Sequence, residues 1–575
     1  MRGFLHSPDP MMRPHPTLLR VVLAALAAGG SLSAKPVSAQ GGPPPAVSAA
    51  QAALSAGNPD SAIRALEAFF QQSPNAVAGR LLLGIAYRQK GDLDKALATY
   101  LGITRPRPLR LQAMLGAAGI HALRGNIGEA FTLLFQLKAS GAVDMDLVRT
   151  GPDFQNLRND PRVDSLMFRP EDFANPFVEP VRIIHEWVGE TKGDQFSWIA
   201  RGIGDVDGDR VSDVVTSAPT YGANGRPAGK GKIYVYSSRS GDLLWSKTGA
   251  DGESLGIGLE GAGDVNRDGI ADVIAGAPGS SRAYVYSGRD GRLLLTLAPD
   301  SSNEGFGGST AGAGDQNGDG FADMVVGAPS SNAGGAGVGR AYIFSGKDGS
   351  RLRILAGEQP GDAFGSTVAG AKAGRGTPVL VGAPGSGPGH RGRVYVFQGS
   401  SPGARFTIEA DSTGAALGAM FTSVVGDVNG DKVPDVYASD FTNSAKGPST
   451  GRVYVHSGAD GRLLRILTGE GPGDGFGIGS ADVGDVNRDG FADLLVGAWQ
   501  FSGAAPSGGK AYLYSGKDGG LLRTITGRIP GETFGFDATG IGDVDGDGVP
   551  DLLLTSTWSN IKGYRSGRMF VISGK

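Results

Sequence analysis

Six short segments of the sequence place carboxylate side chains at a spacing that suits a metal ion. Each has Asp at position 1, Asp or Asn at 3, Asp at 5, an apolar residue at 7 and Asp at 9. The residues at these positions are Asp205, Asp207, Asp209, Val211, Asp213; Asp264, Asn266, Asp268, Ile270, Asp272; Asp315, Asn317, Asp319, Phe321, Asp323; Asp427, Asn429, Asp431, Val433, Asp435; Asp485, Asn487, Asp489, Phe491, Asp493; and Asp543, Asp545, Asp547, Val549, Asp551. Their side-chain oxygens, with the backbone carbonyl of position 7, are ligands that Ca²⁺ prefers. The sequence therefore predicts five to six calcium sites.

Other metals suit these segments less well. Mg²⁺ prefers water-rich, strictly octahedral coordination. Zinc and copper favour His or Cys, which the segments lack. EF-hands are a poor match because strand patterns follow the loops and position 12 is not Glu. Asp- and Gly-rich turns without a metal are the alternative, and six copies at matching positions favour the metal.

Some of the loops depart from this pattern. Position 6 is Gly in four segments, and Gly eases a left-handed turn. Arg210 and Lys432 take its place in the other two, so the metal occupancy of those loops stays open. A seventh, equivalent loop has Lys372 and Arg375 where carboxylates would lie, which predicts no calcium there. The apolar side chain at position 7 is predicted to anchor each loop in the core.

The elements that would position these loops repeat seven times. Seven alternating, strand-like segments are centred on Tyr234, Tyr284, Tyr342, Tyr395, Tyr454, Tyr512 and Phe570. Further strand patterns lie upstream of each segment and downstream of six of them, and the acidic loops fall between the first two strands of a unit. Four short strands in each repeated unit are typical of a propeller blade. We therefore predict an all-β, seven-bladed β-propeller over residues 182–575.

The last unit contains only three strand patterns, and its missing fourth strand is found upstream of the first unit. Residues 182–190 match the fourth-strand pattern of residues 462–470. We therefore expect the first and last segments of the propeller to share one blade. Such closure removes the open sheet edges that would invite aggregation.

Several blades resemble the FG-GAP repeat of the integrin α-subunit propeller and of many exported bacterial proteins. The motif pairs Phe-Gly or Leu-Gly before the acidic loop with Gly-Ala-Pro after it. It is seen as Phe306-Gly307 with Gly327-Ala328-Pro329, Phe364-Gly365 with Gly382-Ala383-Pro384, and Leu255-Gly256 with Gly276-Ala277-Pro278. The resemblance implies a seven-bladed propeller with largely structural calcium in hairpin loops on one face. It also implies that partners bind the opposite face.

A second repeat, with a period of 34 residues, precedes the propeller. Gly57, Gly91 and Gly125 keep this spacing, as do Ala62, Ala96 and Ala130. This period with a helix–turn–helix pattern indicates a small all-α domain of tetratricopeptide-like repeats, at residues 47–168. We predict a final helix at 154–167 and a Pro-rich linker at 169–181. The repeats would offer either a groove for a peptide or protein, or a spacer and docking platform.

The N-terminal residues predict export. Arg13 and Arg20 flank the start of an apolar run, 18–28, and small residues at 37–39 follow it. This order is typical of a signal peptide, here 1–39, with a linker at 40–46. An uncleaved membrane anchor is the alternative. We expect a periplasmic, extracellular or cell-surface protein with no membrane span in the mature chain.

The overall composition agrees with a turn-rich β protein that does not bind nucleic acid. Gly makes up 97 of 575 residues, Cys is absent and the net charge is −3. That charge gives no reason to propose a nucleic-acid partner.

No arrangement of residues in the sequence predicts catalysis. The six His do not form a His-Glu-x-x-His motif, and His456 alternates with Tyr454 on a strand, which favours a packed position. A basic residue begins each third strand: Lys232, Arg282, Arg340, Arg393, Arg452, Lys510 and Arg568. These residues would either bind acidic ligands such as uronates or pair with nearby acids.

We therefore predict a non-enzymatic protein- or glycan-binding module that uses calcium structurally. A calcium-dependent enzyme or enzyme accessory domain, of polysaccharide lyase or phospholipase type, is the alternative. An exported scaffold, in which both repeat domains dock other proteins, is a third hypothesis.

Overall fold

The structure is a computed structural model that describes residues 44–223, 228–371, 374–399, 401 and 403–575. The predicted signal peptide, most of the linker at 40–46, and Lys372 lie outside these residues. The chain divides into two compact units, which meet in sequence between Met167 and Phe168. Among the described residues, no helix combines the length and apolar character needed to cross a membrane.

The first unit consists of antiparallel helix pairs at the predicted period. The helices are α1 (Pro45–Ser55), α2 (Pro59–Gln72), α3 (Arg80–Lys90), α4 (Leu93–Leu101), α5 (Arg107–Leu123), α6 (Ile127–Ser140), α7 (Asp146–Thr150) and α8 (Arg162–Leu166). Gly57, Gly91 and Gly125 follow α1, α3 and α5 with φ of 72°, 87° and 77°, the left-handed conformation expected at helix ends. The three alanines of the repeat are fully buried between helices. The predicted helical repeat is confirmed.

Close packing of the helices depends on two glycines around one tyrosine. A Cβ at Gly84 would lie 2.4 Å from Cε1 of Tyr100, and one at Gly116 would lie 2.7 Å from its Cε2. Tyr100 is buried between α3 and α5. Either glycine could be replaced only if the helices moved apart.

The predicted helix at 154–167 is wrong as a continuous element. The structure instead has a 3₁₀-helix (Pro152–Leu157) and the short α8. Pro161 interrupts them because it cannot donate the hydrogen bond that a continuous helix requires at that point. Asp160 accepts a hydrogen bond from the backbone N–H of Arg162 at 3.0 Å. Asp160 lies 34 residues after Asn126, so this segment continues the helical period in degenerate form.

The second unit is a seven-bladed β-propeller made of four-stranded antiparallel sheets, which confirms the predicted fold. In strand order from the first to the fourth, the blades are β2 (Ala200–Gly202), β3 (Val214–Ala218), β4 (Lys232–Tyr236), β5 (Leu243–Thr248); β6 (Leu259–Gly263), β7 (Asp272–Ala277), β8 (Arg282–Tyr286), β9 (Leu293–Leu297); β10 (Thr310–Gly314), β11 (Asp323–Ala328), β12 (Arg340–Phe344), β13 (Arg351–Ala356); β14 (Thr367–Gly370), β15 (Pro378–Ala383), β16 (Arg393–Gln398), β17 (Phe406–Glu409); β18 (Thr422–Val425), β19 (Asp435–Asp440), β20 (Arg452–His456), β21 (Leu463–Thr468); β22 (Phe476–Gly484), β23 (Asp493–Ala498), β24 (Lys510–Tyr514), β25 (Leu521–Thr526); and β26 (Ala538–Gly542), β27 (Asp551–Ser556), β28 (Arg568–Ile572), β1 (Ile183–Val188). We number the blades 1 to 7 in this order.

The ring closes in blade 7 as the sequence predicts. Strand β1 pairs antiparallel with β28, with Trp187 opposite Met569 and Glu186 opposite Phe570. The backbone N–H of Ser573 donates to the carbonyl of Arg182 at 2.9 Å and extends this pairing beyond β28.

Side chains in the fourth strands, or in the residue just before one, join neighbouring blades around the circumference. They donate hydrogen bonds to backbone carbonyls in the turn between the third and fourth strands of the next blade. In blade 7 the acceptor lies in the stretch after β28, which takes the place of that turn. The pairs are Trp187 to Gly241 (2.8 Å), Trp245 to Gly288 (2.7 Å), Arg353 to Gly399 (3.0 Å), Arg405 to Gly458 (3.1 Å) and Arg523 to Ser573 (2.8 Å). These bonds tie five of the seven pairs of neighbouring blades together at their outer edges.

The segment predicted as a linker, 169–181, differs from a free connection. It begins with a 3₁₀-helix (Pro170–Phe173) and then packs onto the propeller. The Phe177 ring lies 4.7 Å from that of Phe534 and 5.2 Å from that of Phe570. The Glu179 carboxylate accepts the backbone N–H of Thr526 at 2.6 Å. Burial of Phe177 among these rings is the physical reason that the segment is docked.

Candidate metal centres

Each of the six acidic segments lies between the first and second strands of its blade and winds around its first aspartate. In blade 1, Oδ1 of Asp205 accepts the backbone N–H of Gly208 at 2.6 Å, and Oδ2 accepts that of Arg210 at 2.8 Å. Oδ2 of position 1 accepts the N–H of position 6 in all six loops, at 2.7–3.0 Å. The shared spacing of the residues therefore produces one shared loop conformation.

Position 6 takes the left-handed conformation in every loop. The four glycines there have φ of 83–89°, and Arg210 and Lys432 have φ of 73° and 66°. The expectation that this position needs a left-handed residue is confirmed. The two non-glycine residues adopt it at a cost of roughly 1 kcal/mol each.

At positions 3 and 5, one side-chain oxygen accepts a hydrogen bond from a backbone N–H of the same loop. In blade 7, Oδ1 of Asp545 accepts the N–H of Asp547 at 3.1 Å, and Oδ1 of Asp547 accepts that of Val549 at 2.9 Å. The Oδ2 atoms of both aspartates are buried and accept no hydrogen bond from within the loop. Such oxygens suit a positively charged partner, because a buried acceptor left unpaired is costly.

In two loops the carboxylates already converge. Ligand oxygens of Asp205, Asp207 and Asp209 lie within 4.8 Å of one another in blade 1. The same is true of Asp543, Asp545 and Asp551 in blade 7. These two loops are also the ones with Asp rather than Asn at position 3, so each has one more negative charge than the others.

The aspartate at position 9 has a second role that the sequence analysis missed. In blade 2, Oδ2 of Asp272 accepts the N–H of Val265 at 2.9 Å, and Oδ1 accepts that of Gly288 at 3.1 Å. The fully buried carboxylate thus joins the acidic loop to the end of the third strand. The same pair of bonds is made by Asp213, Asp323, Asp435, Asp493 and Asp551.

The pKa values of these carboxylates are shifted in opposite directions. Burial, together with repulsion from the nearby Asp268 and Asp264, raises the pKa of Asp272 to about 7. Burial also raises the pKa of Asp213 to about 6. For Asp205, burial alone would raise the pKa, but hydrogen bonds from backbone N–H groups outweigh it and lower that pKa. A cation would favour the ionised form of the buried aspartates, so the donor set fits calcium.

The anchors of the loops are not all at the predicted position. Val211 and Val549, at position 7, are buried as expected, but Val433 is 36% exposed, so the prediction is wrong for that loop. The side chain at position 2 is the more regular anchor, and it is buried in five loops as Val206, Val265, Val428, Val486 and Val544. The recurrence of Val at position 2 was visible in the sequence.

The equivalent loop of blade 4 is fixed without carboxylates. Residues 374–377 contain none, and Arg375 reaches back to the loop of blade 3. Its Nη2 donates to the carbonyl of Gly318 at 2.6 Å, and its Nε lies 3.5 Å from Oδ2 of Asp315. A guanidinium therefore borders one predicted calcium site.

The basic residues that begin the third strands mostly pair with acids. Within the described part of the chain, six of the seven form ion pairs: Lys232 with Glu190, Arg340 with Asp300, Arg393 with Glu409, Arg452 with Asp411, Lys510 with Glu470 and Arg568 with Glu532. This favours the pairing interpretation over a ring of free cations. His456 is half-buried, with Nδ1 2.9 Å from the carbonyl oxygen of Gly461, as expected for a packed residue.

Comparison with known proteins agrees with this architecture. Three family models match the chain: a tetratricopeptide repeat at 47–110, an FG-GAP-like repeat at 264–326 and an FG-GAP repeat at 478–514. Similar proteins include integrin alpha-3 of Mus musculus, 35% identical over 187 residues, or 30% of this chain and 17% of the relative. Integrin alpha-7 of Homo sapiens is 32% identical over 179 residues, 29% of this chain and 15% of the relative.

The matched segments span less than a fifth of these relatives, so the likeness does not extend to the whole integrin chain. The chain thus carries tetratricopeptide repeats followed by an FG-GAP β-propeller similar to that of the integrin alpha chains.

Proposed function

We propose that the protein is an exported, non-enzymatic interaction module. Its propeller would bind calcium structurally in the carboxylate loops and hold a protein or glycan ligand on the opposite face. The observation that carries the proposal is the loop geometry common to six blades. In each, a fully buried aspartate stands beside further loop carboxylates. Without a cation those charges would repel one another.

The strand order supports the placement of the ligand on the face opposite the acidic loops. Each acidic loop joins the first and second strands, so the connections from second to third strand lie at the opposite ends of the blades. Three of the five tryptophans lie on that opposite side, in connections of blades 1, 6 and 7. The ring of Trp499 lies 5.0 Å from that of Trp558, and Trp198 lies 5.0 Å from Phe536. Half-buried Trp198 and Trp558 offer an aromatic surface of the kind that contributes strongly to interfaces.

The calcium part of the proposal is tested by metal analysis. Protein equilibrated with calcium and then freed of unbound ions should retain five to six calcium ions per chain. Treatment with EDTA should remove them. Protein that retained no divalent ion after this treatment would contradict the proposal.

The ligand part needs a binding screen. The mature chain would be applied to a glycan array and used in pull-downs, with calcium and with EDTA. We expect calcium-dependent binding that Trp558→Ala weakens. Leu521→Ala, at an exposed position on the outer strand β25, is the control and should bind normally. Equal weakening by both variants would argue against the aromatic face as the binding surface.

A further inference from the structure

The carboxylate loop of blade 7 differs from the others because it lies where the ring closes. In blade 1, the turn between the third and fourth strands contacts the acidic loop, with Nε of Arg239 3.3 Å from Oδ2 of Asp209. In blade 7 two distant segments of the chain replace that turn. One is the stretch after β28, and the other is Arg182, just before β1.

Arg182 places its charge directly on this loop. Its Nη1 lies 2.8 Å from Oδ2 of Asp545. The Asp545 side chain is only 6% exposed, whereas that of Arg182 is 66% exposed. The same Oδ2 accepts no hydrogen bond from within its loop, and Asp545 is one of the three residues whose carboxylate oxygens converge, with Asp543 and Asp551. A buried ligand oxygen is therefore balanced by a largely solvent-exposed guanidinium.

We propose, on the basis of the calcium sites in the proposed function, that Arg182 is a displaceable counter-ion of the blade 7 site. In the cation-free protein it neutralises Asp545. When calcium binds, the carboxylate oxygen becomes a ligand of the metal and the guanidinium moves into solvent. Because two cations so close together repel, Arg182 weakens calcium binding at this site by on the order of tenfold.

This exchange connects one calcium site to ring closure. The backbone of Arg182 stays paired through the hydrogen bond from Ser573, so strand β1 remains docked in either state. Its side chain, however, contributes to closure only while the metal is absent. Arg182 thus stabilises blade 7 in the cation-free protein, and calcium replaces that contribution.

The chain offers a matched control for Arg182. Arg462 precedes the fourth strand of blade 5 at the equivalent position, and its side chain is similarly exposed, at 71%. Its ion-pair partner is Asp460, in its own turn and outside the carboxylate loop, at 4.0 Å. Replacing Arg462 therefore removes a comparable charge without touching a calcium site.

The test uses the full chain as wild type, Arg182→Gln and Arg462→Gln. Each protein is titrated with calcium by calorimetry, and its thermal unfolding is measured in EDTA and in saturating calcium. We expect Arg182→Gln to lower the Tm in EDTA, to leave it unchanged in calcium, and to raise the affinity of one site about tenfold. Arg462→Gln should change none of these. Asp545→Asn should remove one calcium site. In that background, Arg182→Gln should no longer have a calcium-dependent effect.

The outcomes separate this inference from the proposed function. If the wild type binds no calcium, the proposed function fails. If it binds calcium but Arg182→Gln leaves every affinity unchanged, or lowers the Tm equally with and without calcium, the inference is overturned and the proposed function stands. Should Arg182→Gln not fold, Arg182→Met, which keeps much of the side-chain length but removes the charge, would be measured for the same change in affinity.

Discussion

Blades 3 and 4 are neighbours built from the same four-stranded sheet, yet their first loops are held in different ways. In blade 3, Asp315 organises the loop, and the buried Asp323 joins it to Gly346 at the end of the third strand. In blade 4, the hydroxyl of Thr377 donates to the carbonyl of Ala313 at 2.7 Å, and Arg375 binds the preceding loop. A blade can therefore be built without any carboxylate in this loop.

This difference shows that buried carboxylates in the loop are energetically unfavourable when no cation is present. Burial of Asp323 raises its pKa, and the nearby Asp319 and Asp315 raise it further, so its ionised form is unfavourable in the absence of a cation. Blade 4 avoids that cost. Carboxylates at the same place in six other blades agree with the proposed calcium sites.

Removing calcium should destabilise the propeller by several kcal/mol. When the free calcium concentration is ten times the Kd of a site, binding there stabilises the folded form by about 1.4 kcal/mol. The contributions of five to six such sites add up. Differential scanning calorimetry with and without EDTA measures the change in Tm. Adding calcium back should restore the Tm and magnesium should not. An identical Tm in EDTA and in calcium would contradict the proposal that the other six blades, unlike blade 4, bind calcium in their first loops.

Lowering the pH should stabilise the cation-free protein. Burial raises the pKa of Asp272 to about 7 and that of Asp435 to about 6, from 3.8. Because the folded form holds these protons more tightly, their stabilising contribution is complete below about pH 4 and is lost as the pH rises through 6 to 7. Urea unfolding of EDTA-treated protein between pH 5 and 8 measures this effect. Stability that rose with pH over this range would contradict the assignment.

Replacing a single position-9 aspartate should be costly. Asp272→Asn substitutes an NH₂ donor for an oxygen that accepts a backbone N–H, so we expect a loss of about 1–3 kcal/mol of unfolding free energy. It should also remove one calcium ion. Asp290→Asn, at an exposed turn of the same blade, is the control and should lose neither. Equal urea midpoints for the two variants would show that the buried carboxylate does not join the loop to the third strand.

The smallest effect is expected at the border of blades 3 and 4. Arg375→Gln should raise the calcium affinity of the blade 3 loop by only a few fold, because the guanidinium is 74% exposed and screened by solvent. Calorimetric titration measures the affinity, with Arg462→Gln as the control. A weaker blade 3 site in Arg375→Gln would mean that the contact with Gly318 holds the loop in its binding conformation.

The features predicted correctly are those that depend on sequence patterns with a fixed spacing along the chain. The 34-residue period located the helices, and the acidic segments located one loop in each of six blades. The match between 182–190 and 462–470 identified the strand that closes the ring. In each case the signal lies within a few consecutive residues, where local geometry determines the conformation.

The features that were missed depend on contacts between distant residues. The bond from Gly288 to Asp272 requires the folded blade, because 16 residues separate the two. Phe177 stands among prolines that are typical of a linker, and only the rings of Phe534 and Phe570 explain why it is buried. Val433 shows that an apolar residue in the pattern need not reach the core.

The pairing of β1 with β28 also determines when the propeller can be finished. Its two partners come from opposite ends of the propeller sequence, so translation must reach the final strand before the sheet can be completed. Contacts of such high sequence separation form slowly, and incomplete intermediates expose strand edges that promote aggregation. During biosynthesis, the six blades formed from consecutive strands would therefore have to persist as an open arc. Chaperones that shield the edge of the three-stranded sheet β26–β28 would act in that interval.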